Sequence, residues 1–171
     1  MAEPITDPRE LFAARLRRML WIELQLADEV LPELREQVWS SDLKYALDRH
    51  QLETEAHVRT VRRLLSQLEV HAEPEESPAL AGLVAEHRQL VKRLGAEGHV
   101  VLDLAHAEAA AATEHLELSS YHSLASLAEA LGEEEVGIAL REVMEQEELA
   151  LEFVERGATK LLAENVESER L

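Results

Sequence analysis

The sequence has no cysteine, only six glycines and five prolines, and two each of Trp, Tyr and Phe in 171 residues. Without cysteine there is no disulfide framework, no thiolate metal site and no cysteine nucleophile. No apolar run approaches the roughly 18 residues needed to span a bilayer, which argues against a membrane role. Basic residues are also scarce, with 17 Lys and Arg against 35 Asp and Glu, for a net charge of −18. Nucleic-acid binding needs basic clusters that replace counterions, and the best local one, "RLRR" at 15–18, is small and belongs to a helix face. There is no glycine-rich phosphate loop and no Ser–His–Asp spacing, so nucleotide-dependent and acyl-transfer chemistry find no support. The opening residues, "MAEPITDPRELF", lack the basic and apolar regions of a signal peptide. A reducing, cytoplasmic setting is expected.

What is present is Ala, Leu and Glu, with 46% hydrophobic and 30% charged residues. No β-branched alternation of 4–8 residues interrupts them, so the class is all-α and one domain over residues 1–171 is expected. Capping residues divide the chain. A first long helix opens at "TDPRE", with Asp7 as cap and Glu10 completing an approximate capping box, and runs over about residues 8–39, with Pro32 inside it as a candidate kink. "SSD" at 40–42 is a turn, and a second long helix follows over about 42–70. A loop, "HAEPEESP", leads to a short helix over about 79–94 that ends at Gly95. Two more long helices cover about 99–131 and 133–163, separated by Gly132, and "ENVESERL" reads as a frayed tail. Two helical hairpins joined by a long crossover make the connectivity of a ferritin-like four-helix bundle.

Polar residues interrupt the apolar stripes. On the first long helix, Glu23 stands between Leu20 and Leu26 where a leucine belongs. On the second, the stripe Leu43, Leu47, His50, Thr54, His57, Val61 is polar for three successive layers, with Glu53 one step to the side and within reach of both histidines. The third carries Glu114, Glu117 and Tyr121 on one face; the fourth carries Val143, Glu147 and Leu151. Glu23 to Glu53 spans 30 residues across one turn, and Glu117 to Glu147 spans 30 across the other. In each hairpin the acids therefore sit about 20 Å from the turn.

Taken singly, an acid on a core stripe reads as a surface group on a slightly rotated helix, or one paired with Arg. Four together are a different matter. Carboxylates at one level of a dry core cannot all stay ionised, because desolvation and mutual repulsion oppose it. Two divalent metal ions bridged by carboxylates, with histidine at terminal positions, neutralise such a set. His50 reads equally as a ligand or as a residue holding a ligand in place. Tyr121 reads as core packing rather than as a redox tyrosine, and His71, His87, His99, His106 and His122 show no partner pattern.

With these residues in view, the sequence resembles the bacterial YciF/YciE stress-protein family. The resembling blocks are "SDLKYALDRHQLETEAHVRTV" (41–61), "EHLELSSYHSLASLAEALG" (114–132) and "LREVMEQEE" (140–148), with a weaker one at "IELQLADEVLP" (22–32). The resemblance implies a rubrerythrin-related, ferritin-like fold, a homodimer, a dinuclear metal site and an association with stress. It places family site residues on Glu23, on His50, Glu53 and His57, on Glu114, His115 and Glu117, and on Glu145 and Glu147. The chain departs from many ferritin-like sites, which use Glu-x-x-His on the second and fourth helices. Here Glu53 and His57 are four apart, and the fourth helix offers no histidine, only Glu145, Glu147 and Glu148.

The ligand set expected is Glu23, Glu53, His57, Glu117 and Glu147, with His50, Glu114, Glu145 and Glu148 as secondary candidates for two Fe or Mn ions. The function expected is reaction with O₂ or H₂O₂, in the manner of a ferroxidase, peroxidase or catalase. The alternative is a non-catalytic dimeric bundle that acts by binding a partner in a stress response.

Overall fold

A computed structural model describes residues 4–94 and 98–168, with side chains through residue 165. Its helices are α1 (Pro8–Gln25), a π-helical turn (Leu26–Val30), α2 (Leu31–Gln37), α3 (Ser41–Gln67), α4 (Pro78–Val91), α5 (His99–Leu131) and α6 (Glu134–Ser168). No strand occurs among the described residues, so the all-α class holds.

Local chemistry sets these boundaries. The Asp7 carboxylate accepts from the N–H groups of Arg9 and Glu10 at 2.8 and 2.9 Å, and Glu10 reaches back to accept from the Thr6 N–H at 2.7 Å. Two otherwise orphaned donors of the first turn are thereby satisfied. Gly132 ends α5 with φ at 77°, a left-handed conformation that costs glycine nothing, and Glu133 N–H bonds back to the Ala128 carbonyl at 2.9 Å.

Two expectations are corrected. Pro32 does not simply kink the first long helix; a π-helical turn precedes it. In that frame Leu31 N–H donates to the Leu26 carbonyl, and Pro32, lacking an N–H, leaves the Ala27 carbonyl without its helical donor. Gln51 of α3 supplies the missing donor at 2.7 Å. The tail expected to fray at 164 continues as helix to Ser168. The Gly95 stop lies outside the described residues.

Short connections make α1 and α3, and likewise α5 and α6, antiparallel neighbours. Packing closes the ring, because α1 rests on α3 and α5 while α6 rests on α3 and α5. The crossover from α3 to α5 carries α4, which lies against α5. Gly157 lets α6 approach α3 closely, since a Cβ there would meet Leu43 Cδ2 at 2.8 Å. Leu16, Leu20, Leu26, Val61, Leu64, Leu124 and Leu140 are buried in the core that results. No helix among the described residues is long and apolar enough to cross a membrane.

Candidate metal centre

At mid-height the apolar core gives way to acids and imidazoles. Glu23 from α1, His50 and His57 from α3, Glu114 and Glu117 from α5, and Glu147 from α6 are all buried, none more than 5% exposed. Each occupies a place on its helix where the apolar periodicity points inward.

Their atoms fall into two groups. His50, Glu114, Glu117 and Glu147 each offer one donor atom within 4.8 Å of the others, and so do Glu23, His57 and Glu147. Glu147 belongs to both. Its Oε1 lies 2.9 Å from His57 Nδ1 and its Oε2 lies 3.8 Å from His50 Nδ1. His50 Nε2 approaches Glu114 Oε1 at 3.0 Å, and His57 Nδ1 stands 3.7 Å from Glu23 Oε2.

Close approach is not the same as satisfaction. Nine nitrogen and oxygen atoms of these six residues lack a well-oriented hydrogen-bond partner, including both oxygens of Glu117 and of Glu147. Buried polar atoms are rarely left so, because each costs about 1–3 kcal/mol. The set is rich in acceptors, and a cation held among them removes that cost.

The electrostatics agree. Burial, reinforced by Glu147, pushes the Glu23 carboxyl up to about 8 against the opposing pull of His57 and Tyr121. Burial and then Glu147 also hold the Glu114 and Glu117 carboxyls well above the usual carboxylate range. Burial works against a charged His57, yet Glu147 and Glu23 outweigh it and raise the imidazole to about 9. His50 moves the other way because burial dominates.

Two further residues orient the set. Tyr121, fully buried, donates its hydroxyl to Glu23 Oε1 and leaves Oε2 facing His57. Gln146 Oε1 lies 2.9 Å from His57 Nε2. A proton on Nε2 donated there fixes the ring with Nδ1 turned towards the Glu147 and Glu23 carboxylates. Nothing in the periodicity singles out Gln146, which neighbours Glu147 but meets a helix 89 residues away.

Several sequence candidates lie elsewhere. Glu53 is outside both groups: its side chain is 23% exposed and accepts from Arg49 Nε at 2.8 Å. It sits roughly 80° round from the centre of the α3 stripe, at 100° per residue. Glu145 and Glu148 are exposed on the outer side of α6, and His115 is exposed on α5. Glu114, a secondary candidate, is instead 1% exposed and in contact with His50. The histidines without an evident partner include a pair after all, since His87 Nε2 and His106 Nδ1 are 3.0 Å apart.

Residues 7–167 match the family described as a domain of unknown function, DUF892. The chain belongs to the DUF892 family. Among solved structures it is similar to YcfI from Rhodopseudomonas palustris, at 26% identity and a TM-score of 0.85 over 91% of this chain and 97% of that one. It is also similar to the Escherichia coli stress protein YciF, at 24% identity and a TM-score of 0.86 over 93% and 99%. A Xanthomonas campestris protein aligns at 21% identity with a TM-score of 0.73, over 96% and 100%. No curated protein matches the sequence significantly. These DUF892 and YciF likenesses agree with the family resemblance carried by the helical blocks.

Proposed function

We propose that this DUF892 chain is a ferritin-like, carboxylate-bridged dinuclear metal protein, holding Fe or Mn and reacting with O₂ or peroxide as part of a stress response. The observation that carries this reading is Glu147, a fully buried carboxylate shared by two groups of ligand-type atoms with no hydrogen-bond partner at either oxygen. His50, Glu114 and Glu117 would hold one ion and Glu23 and His57 the other, with Glu147 common to both. Metal ions so held supply Lewis acidity and redox electrons.

The chain's own residues do the rest. Tyr121 fixes the Glu23 carboxylate, and Gln146 fixes the His57 ring. Burial excludes bulk water from all four carboxylates, which strengthens every charge interaction among them. Protons held by Glu23, Glu114 and Glu117 must leave when cations bind, so affinity rises with pH. A homodimer, as the resemblance implies, and a cytoplasmic setting are part of this proposal.

The alternative, a polar network without metal in a partner-binding bundle, draws on the short His–Glu approaches. Hydrogen bonding counts against it, because nine buried nitrogen and oxygen atoms of the six residues have no hydrogen-bond partner.

The test is metal content. Protein loaded anaerobically with Fe(II), or with Mn(II), should hold about two ions per chain. A folded Glu147→Ala variant should fall below half of that, because both groups lose a ligand. Wild-type loading in that variant would refute the proposal.

A further inference from the structure

Five of the six buried groups are no more than 1% exposed, and His50, at 5%, is the nearest to solvent. A crevice on the flank of α3 and α6 leads to it. Its cavity of about 10 Å³ is lined by Tyr45, Arg49, His50, Glu53, Glu114 and Phe153 among others, and is the size of a single water. Three larger cavities elsewhere touch none of the six site residues.

At the mouth, Arg49 Nε donates to Glu53 at 2.8 Å, and the Arg49 guanidinium lies 4.6 Å over the Phe153 ring. Behind it, His50 faces both ways, with Nε2 at 3.0 Å from Glu114 and Nδ1 at 3.8 Å from Glu147. Glu114 lines the crevice, and its Oε2 has no partner.

We infer that Glu53, which lines the same crevice as His50 and Glu114, transiently captures a divalent cation and passes it to these two residues of the buried cluster, with Arg49 as the cation that Glu53 holds between arrivals. This rests on the reading of the cluster as a metal site. Glu53 stands one helical turn from His50 and from His57, too far round the helix to join the core yet close enough to pass a cation inward. Its bond to Arg49 is partly exposed, and ion pairs of that kind are weak and open readily. A divalent ion competes well for such a carboxylate, and a net charge of −18 draws cations towards it. When Arg49 swings away from Glu53, its hold over Phe153 loosens as well, and the mouth widens above His50. Glu53 is thus an acid at the level of the site but not in it, which accounts for a carboxylate at that position of α3.

The test measures the rate of uptake separately from its extent. Metal-free protein is mixed with Mn(II), and loss of the free-ion electron paramagnetic resonance signal is followed to completion. Glu53→Gln should slow uptake about tenfold with the final loading unchanged, and Arg49→Ala should speed it roughly two- to three-fold. Glu55→Gln, which removes an exposed acid from the same helix, should leave the rate as it was. An unchanged rate in Glu53→Gln overturns the route, as does equal slowing in Glu55→Gln. Reduced final loading in Glu53→Gln overturns the transient role by making Glu53 a resident ligand. A wild-type protein that takes up neither Mn(II) nor, under anaerobic conditions, Fe(II) would instead refute the metal site itself, and the route with it.

Discussion

Helix α5 carries two sets of buried polar residues, Asp103 and His106 near its start and Glu114 and Glu117 at its middle, and the neighbouring helices meet them differently. Around the first, donors and acceptors are matched except at His106 Nε2. The Asp103 carboxylate accepts from the backbone N–H groups of Trp39 and Ser40 at 2.8 and 2.7 Å, closing the turn before α3. His106 is paired with His87, and Arg88 beside it donates to Glu33 at 3.1 Å and to Glu29 at 2.7 Å. Around the second, four carboxylates face two imidazoles and one phenol, and most of their oxygens have no donor. Matched polar groups hold a fold together, whereas an excess of buried acceptors marks a place prepared for something the polypeptide does not supply.

The comparison breaks if the two sets turn out to be one network. Asp103→Ala leaves two backbone N–H groups without their acceptor, at a cost of about 2–4 kcal/mol. A melting temperature lower by about 5–10 °C is expected, with metal loading unchanged. Loss of metal in that variant would show that the turn and the centre are coupled.

The pH dependence of the metal-free protein should separate the sets more finely, because their linkage has opposite signs. Glu23 moves from the usual 4.5 to about 8, so between those values the folded state binds more protons than the unfolded one, and stability falls as pH rises. His57, moved from 6.5 to about 9, acts in the same direction: its contribution is whole below 6.5 and lost as pH rises through 9. His106 is pushed down from 6.5 to about 4 by burial and by His87, so its contribution is whole above 6.5 and lost as pH falls towards 4. Between pH 4.5 and 6.5 the opposing slopes of Glu23 and His106 offset each other, whereas above 6.5 Glu23 and His57 act together, so calorimetry should find the metal-free melting temperature falling as pH rises from 6.5 towards 9. Glu23→Gln should flatten that fall, whereas His106→Gln should leave it unchanged and make stability fall with rising pH below 6.5 as well. A His106→Gln variant that flattens the alkaline fall would contradict the assignment.

The smallest effect is expected at Arg88, whose side chain is 39% exposed. Arg88→Ala should cost no more than about 1 kcal/mol, read as a shift of a few degrees in thermal unfolding, with metal loading and uptake rate unaltered.

Much of the bundle can be read from residue order. Asp7, Ser40, Ser77 and Gly132 each act within a turn of where they stand, so the helix ends they set are local matters. The same holds for the inward acids Glu23, Glu117 and Glu147, which interrupt stripes of known period. The choice between Glu53 and Glu114 is less legible. Both lie within one helical step of a stripe, and a rotation of a few tens of degrees about the helix axis exchanges inside for outside. The π-helical turn before Pro32 is illegible for a related reason: it depends on Gln51, which arrives from another helix to bond Ala27.

By itself, the sequence determined an all-α chain whose long helices carry acids and histidines at one height, because capping and 3.6-residue periodicity act over a few neighbouring residues. Only the tertiary structure decided that Glu114 and His50 face the centre, that Glu53 turns to Arg49, that Tyr121 holds Glu23 and that Gln146 holds His57. Those contacts join residues on different helices, and helix packing sets the rotation of each helix about its own axis.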